Sequence, residues 1–180
     1  AESLMRATVK YGKAIQHVVT MFRRLSELKD EFDFEMSVDE TEAPTTPLEH
    51  FFIASELTRA GLKFTSLAPR FIGRFEKGVD YIGDLDEFER SFAGHAAIAR
   101  ALGPYKLSLP SGSDKFSVYG ITTRHARGLV HLKTAGTSYL EALRVIVRTD
   151  IALFNQLRRF CHEKFDQDKA TYHVSAQLSD

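Results

Sequence analysis

The sequence predicts an α/β fold with parallel strands, and three observations carry that prediction. Short segments with apolar residues at every second position alternate along the chain with longer segments of helical periodicity. Most of the helical segments begin on a recognisable cap, so strand, loop and capped helix recur as a unit. No strand candidate is followed by Gly-x-Gly-x-x-Gly or by a Walker A loop, which weighs against a nucleotide-binding sheet. Periodicity alone leaves an open sheet and a barrel equally available.

The elements follow in order. From residue 3 to about residue 29, Met5, Val9, Val18, Val19, Phe22, Leu25 and Leu28 suit one face of a helix. "FDFEMSV" (32–38) changes to a period of two, with Phe32, Phe34, Met36 and Val38 on one side and Asp33, Glu35, Ser37 and Asp39 on the other. Thr46-Pro47-Leu48-Glu49 combines an N-cap, a proline at the first helical position and a glutamate three after the cap. The helix it opens runs to about Ala60, and Gly61 suits its end. "LKFTSLA" (62–68) is the second strand. Asp84 with Glu87 caps a helix that ends at Gly103-Pro104, and "YKLSL" (105–109) is the third strand. A short helix over about 115–126 precedes "LVHLK" (129–133). Ser138 with Glu141 opens one long helix to about 163, and "TYHVS" (171–175) is the fifth strand.

Bulk properties narrow the function classes. A chain of 180 residues, 43% hydrophobic, can bury a core as one domain spanning 1–180. Its formal net charge of zero supplies no global field for nucleic acid or an anionic membrane, so neither is expected as a partner. The apolar runs are too short to cross a bilayer, and "AESLMRATVKYGK" lacks the apolar stretch of a secretory signal. Cys161 is the single cysteine, which excludes an internal disulfide and a Cys-x-x-Cys motif. These features predict a soluble, cytoplasmic protein, and the missing initiator Met predicts an excerpt of something longer.

In parallel α/β folds functional groups gather where strands end. The five ends here, "SVDETEAPT", "SLAPRFIGR", "SLPSGSDK", "HLKTAGT" and "HVSAQ", are rich in charged and hydroxyl side chains. The acidic face of the first strand has two readings: a cavity lining able to bind metal or move protons, or an edge strand facing water. Asp39 and Glu40, at the strand end, are better placed for chemistry than Asp33. His131 and His173 lie in strands near carboxylates and are candidate ligands of a divalent cation, against the common structural role of such histidines. His17, His50, His95, His125 and His162 fall on presumed helices and read as surface or packing residues. "PRFIGRFEKG" (69–78) mixes Arg70, Arg74 and Lys77 with Phe71 and Phe75. Single-stranded nucleic acid, a substrate anion gripped by arginine, and salt bridges to Glu76 and Asp80 are its three readings. Lys115 and Lys133 are isolated cations suited to an anionic or polyhydroxylated ligand.

At these residues the sequence resembles a known family. "SVDETEAPTTPLEHFFIASEL", "SLAPRFIGRFEKGVDYIGDL", "GPYKLSLPSGSDKF" and "HLKTAGTSYLEALR" are similar to the tagaturonate epimerases of bacterial hexuronate catabolism, from about residue 30 to 175. The resemblance implies a metal-dependent enzyme interconverting D-tagaturonate and D-fructuronate on a fold like a TIM barrel, of which this chain holds a partial barrel of about five βα units. A closed barrel of that kind takes about 200 residues or more. It also implies roles: Glu40 as acid/base group with Asp39 second, His131 and His173 as ligands of a divalent cation, and Arg70, Asp114, Lys115 and Lys133 as contacts to a small sugar acid. Two positions depart from the family pattern. Pro110 stands where the strand before "SGSDKF" ends in histidine, and Gly120 stands where proline is expected. Three competing readings remain: another metal-dependent sugar isomerase or aldolase, a catalytically impaired sugar-acid-binding fragment marked by Pro110, and a piece whose exposed strand edges aggregate.

Overall fold

The structure is a computed structural model that describes residues 2–134, 138–170 and 174–177. Its elements are α1 (Glu2–Ser26), β1 (Glu35–Ser37), α2 (Pro47–Arg59), β2 (Ser66–Ala68), α3 (Leu85–Leu102), β3 (Lys106–Leu109), a 3-10 turn (Gly112–Asp114), α4 (Phe116–Ala126), β4 (Val130–Leu132), α5 (Ser138–Thr149) and α6 (Ile151–Lys169). The strands form one parallel sheet in the order β1-β2-β3-β4. Helices α1 to α4 lie side by side in the same succession. A sheet whose order never reverses, with its helices in one layer, has the layout of a partial βα-barrel rather than of a doubly wound sheet.

Register explains how the sheet divides into two faces. Met36, Leu67, Leu107 and Val130 pair in one row across all four strands. This row faces the helices and packs on Ile53 and Leu57 of α2, Phe88, Phe92 and Ala96 of α3 and Val118 of α4. Because side chains alternate along a strand, Glu35, Ser37, Ser66, Ser108 and His131 share the opposite face.

Local signals account for most boundaries. Thr46 and Glu49 form the reciprocal capping box, the Thr46 Oγ1 accepting from the Glu49 N–H at 3.2 Å and the Glu49 carboxylate accepting from the Thr46 N–H at 2.7 Å. Gly61, at φ +80°, closes α2: its N–H bonds the Thr58 carbonyl, and the Leu62 N–H bonds that of Leu57, a Schellman motif. Asp84 accepts from the Glu87 N–H at 2.8 Å and starts α3.

Three expectations need correction. The buried face of α1 is Ala7, Tyr11 and Ile15, extended by Val18, Val19 and Phe22, whereas Met5 and Val9 are 67% and 85% exposed. The helix expected over 138–163 is two helices, because Asp150 accepts from the Leu153 N–H at 2.9 Å and caps a new start. Four strands stand among the described residues. Of the fifth, residues 171–173 lie outside them, and Val174 and Ser175 pair with no strand.

Candidate active site

The polar face of the sheet is organised around a carboxylate in β1. Glu35 Oε2 accepts from Ser66 Oγ of β2 at 2.6 Å, from Ser108 Oγ of β3, and from His131 Nδ1 of β4 at 3.0 Å. Ser108 Oγ also stands 3.0 Å from His131 Nδ1. Just past β4, Lys133 Nζ donates to Asp39 Oδ2 at 2.8 Å and to Ser37 Oγ at 3.1 Å, and lies 3.8 Å from Glu35 Oε1. The Ser37 hydroxyl donates a hydrogen bond to Asp39 Oδ1. All four strands thus contribute to one connected group. Burial pushes the Glu35 carboxyl up, but hydrogen bonds from Ser108, Ser66 and His131, with the charge of Lys133, outweigh it and hold Glu35 below its ordinary value. β1 is an edge strand among the described residues, and its Glu35 and Asp39 carboxylates are paired rather than bare.

Among the residues expected from sequence, this group brings Asp39, His131 and Lys133 together. Glu40 is the next residue but is exposed, with no hydrogen bond or ion pair among the described residues. Arg70 follows β2, and its guanidinium donates to the Thr41 carbonyl. Its main chain is tied to the same loop: the Arg70 N–H bonds Thr45 Oγ1 at 3.0 Å, and the Thr45 N–H bonds the Arg70 carbonyl at 2.8 Å. Phe71, beside it, is buried against Phe75, Phe88 and Phe92, so it is a core ring and not a stacking platform for bases. His173 lies outside the described residues.

Lys115 and Asp114 belong to a second group. Lys115 is 0% exposed, and its ammonium donates to the carbonyls of Glu76 at 2.7 Å and Val79 at 2.6 Å. Asp114 Oδ2 accepts from the Gly78 N–H at 3.0 Å. Asp80 in turn accepts from Ser117 Oγ at 2.9 Å and from the Tyr81 N–H at 2.7 Å. The segment "SDKF" after β3 therefore clamps the loop that follows β2, and Lys115 is a loop anchor where a ligand-facing cation was expected. Burial lowers the Lys115 ammonium, against the opposing charges of Asp114, Asp80 and Glu76. Glu76 extends the group to the end of the chain, its Oε2 accepting from Ser175 N–H at 2.7 Å and Oγ at 2.8 Å.

Sequence reasoning missed three participants. Glu35 counts in the sequence only as one residue of the acidic face of the first strand, with no role of its own, and Ser66 and Ser108 go unremarked. Their signal is the repeated Ser-Leu dipeptide near a strand end, which turns a small hydroxyl inward beside Glu35. Of the two readings for His50 and His95, surface or packing, the structure shows packing: both are fully buried and paired through Nδ1 at 2.9 Å, with Tyr105 Oη 2.8 Å from His50 Nε2. Burial pushes His50 down to about 3, with a further push from His95, and pushes His95 down to about 4. Away from both groups, a surface depression lined by Phe22, Ser26, Lys29, Asp30 and Lys63 brings no such groups together.

The metal expectation can be tested against these residues. A histidine that binds metal commonly gives its other ring N–H to a carboxylate, and the Glu35–His131 contact has that form. No group of three His, Cys, Asp or Glu among the described residues is arranged to hold a cation. Asp39 is engaged by Lys133 and Ser37, and the side chain of Pro110, which follows β3, has no donor atom to offer. These residues fit one ligand and not a set.

Comparison with known proteins agrees with this architecture. A family profile described as tagaturonate epimerase matches residues 1–180. The tagaturonate/fructuronate epimerase of Thermotoga maritima is 52% identical over 178 residues, covering 99% of this chain and 37% of that protein. The native crystal structure of fructuronate-tagaturonate epimerase UxaE from Cohnella laeviribosi superposes with a TM-score of 0.96 at 46% identity, over 100% of this chain and 37% of that one. A crystal structure of the same enzyme with one glycerol bound gives 0.96 at 45% identity, over 99% and 36%. The chain thus spans little more than a third of the length of the relatives it matches, and it belongs to the tagaturonate epimerase family.

Proposed function

We propose that this chain forms part of a tagaturonate/fructuronate epimerase and supplies one polar wall of its active site. The observation that carries the reading is the connected group Glu35, Ser66, Ser108, His131, Lys133 and Asp39, assembled from all four strands on the face turned away from the helices. Family membership supports it. The partner is a small sugar acid.

The substrate chemistry limits the mechanism. The two uronates differ at C3 while the ketone is at C5, so the C–H that changes configuration is β to the carbonyl and is not acidified by enolisation. Removing the proton of the C3 hydroxyl allows the C3–C4 bond to break, leaving an aldehyde at C3 and an enediolate over C4 and C5. Turning the aldehyde and re-forming the bond inverts C3 and returns the proton to its oxygen. A divalent cation, when bound, supplies Lewis-acid stabilisation of negative charge. His131 would be its ligand from this sheet, with His173 and further donors beyond the described residues. Glu40, free of other partners among the described residues, is the acid/base group for the C3 hydroxyl, with Asp39 second. Lys133 and Arg70 hold substrate oxygens, and Asp114 keeps one carboxylate oxygen for a hydroxyl.

The test is turnover of D-tagaturonate by the full-length protein that carries this segment, with and without Mn²⁺, Zn²⁺ or Ni²⁺. Glu40→Gln is expected to lower kcat by about 10²-fold or more, as for loss of an acid/base group. Near-normal turnover in that variant removes Glu40 from the mechanism. A second reading, sugar-acid binding without turnover, is favoured by Pro110. It predicts substrate binding but no product, with metal affinity and activity appearing in Pro110→His.

A further inference from the structure

The Glu35 carboxylate accepts three hydrogen bonds on one oxygen, yet no step above uses it as a base. Its partners explain why it is built this way. Ser66 Oγ and Ser108 Oγ both donate to Oε2, so the oxygen nearest His131 is fixed from two neighbouring strands. Oε1 faces Lys133 at 3.8 Å. An ionised carboxylate can only accept, so the proton between Glu35 and His131 must sit on the imidazole Nδ1. Ser108 has already given its hydrogen to Glu35 and therefore presents a lone pair to the same N–H. A neutral ring protonated at Nδ1 carries its free lone pair on Nε2, on the ring edge turned away from Glu35.

We propose that Glu35 is a positioning residue that holds His131 in the Nδ1–H tautomer and presents its Nε2 as a lone pair on the polar face. This rests on His131 taking part in the proposed chemistry, because a lone pair there serves either to bind a cation or to accept a proton. Ser66 acts at one remove, by fixing the oxygen that fixes the ring, and Ser108 does the same while also facing the ring N–H itself. The arrangement also predicts a reversal. Without the Glu35 carboxylate, Ser108 Oγ remains 3.0 Å from Nδ1 with its hydrogen released. It then donates to Nδ1, and the ring proton moves to Nε2.

Long-range ¹H–¹⁵N correlation on histidine-labelled protein at pH 8 tests this, with the His131 ring assigned through His131→Gln. The wild type is expected to show the Nδ1-protonated pattern, and Glu35→Ala the Nε2-protonated pattern. A wild-type ring that is already Nε2–H, or an even mixture, overturns the proposal. So does a Glu35→Ala protein whose tautomer is unchanged. If Glu35→Ala does not fold, the wild-type spectrum decides alone. Since no substrate is present, a failure here is distinct from a failure to epimerise tagaturonate.

Discussion

Lys115 and Lys133 look alike in sequence, each a lone cation beyond a strand, and the fold gives them opposite surroundings. Lys133 keeps its side chain 33% exposed among the carboxylates of Asp39 and Glu35. Lys115 is sealed under the loop that follows β2 and serves two backbone carbonyls. One ammonium sits where it can exchange a protein carboxylate for a ligand oxygen. The other cannot leave without stranding two buried acceptors. Position at a strand end thus marks a neighbourhood, and the partners of each charge decide whether it does chemistry or architecture.

The largest effect that sharpens this contrast is Lys115→Met. Losing two charge-assisted hydrogen bonds and leaving the Glu76 and Val79 carbonyls unpaired costs about 3 kcal/mol. For a chain of this size that is a fall of roughly 6–12 °C in Tm. A Tm within about 2 °C of wild type would show that Lys115 is not an anchor.

The buried His50–His95 pair gives a pH-dependent effect of similar size. Both hold their values below the ordinary 6.5, at about 3 and about 4, so below 6.5 the unfolded chain binds protons that the folded chain refuses. Stability then falls as pH drops from about 6.5 towards 4, by up to about 1.4 kcal/mol per pH unit for each histidine. Thermal unfolding between pH 7 and pH 5 reads this directly. The carboxyls of Glu35 and Asp80 are held below their ordinary 4.5 and 3.8 and contribute only at lower pH. A flat profile down to pH 5 would contradict the buried neutral pair.

The smallest stability effect belongs to Lys133→Met. Partly exposed ion pairs contribute about 1 kcal/mol or less, so Tm should move little while turnover by the full-length protein falls by about 10²-fold. Equal losses in Lys133→Met and Lys115→Met would erase the distinction drawn between the two groups.

What was legible in the sequence follows the same division. Caps are local, and Thr46, Glu49, Asp84 and Gly61 sit in the structure as their spacing predicts. The parallel order of strands and the convergence of Asp39, His131 and Lys133 were readable because strand ends gather by topology. The face of α1 was misread because large apolar residues were weighted over the Ala7-Tyr11-Ile15 spacing that packs against the core. The His50–His95 contact joins two helices, and no local pattern announces it. Lys115 was misread for the same reason: its burial depends on a loop belonging to a different strand.

The two last helices carry a dynamic consequence. α6 runs from Ile151 to Lys169 without one buried residue, while α3 seats Phe88, Phe92, His95, Ala96 and Ala99 in the core. Helices draw most of their persistence from such packing, and hydrogen-bonded turns that bury nothing open at little free-energy cost. In this chain, backbone amides of α6 should therefore exchange with deuterium by local opening, in advance of those of α3, whose exchange waits on disruption of the core itself.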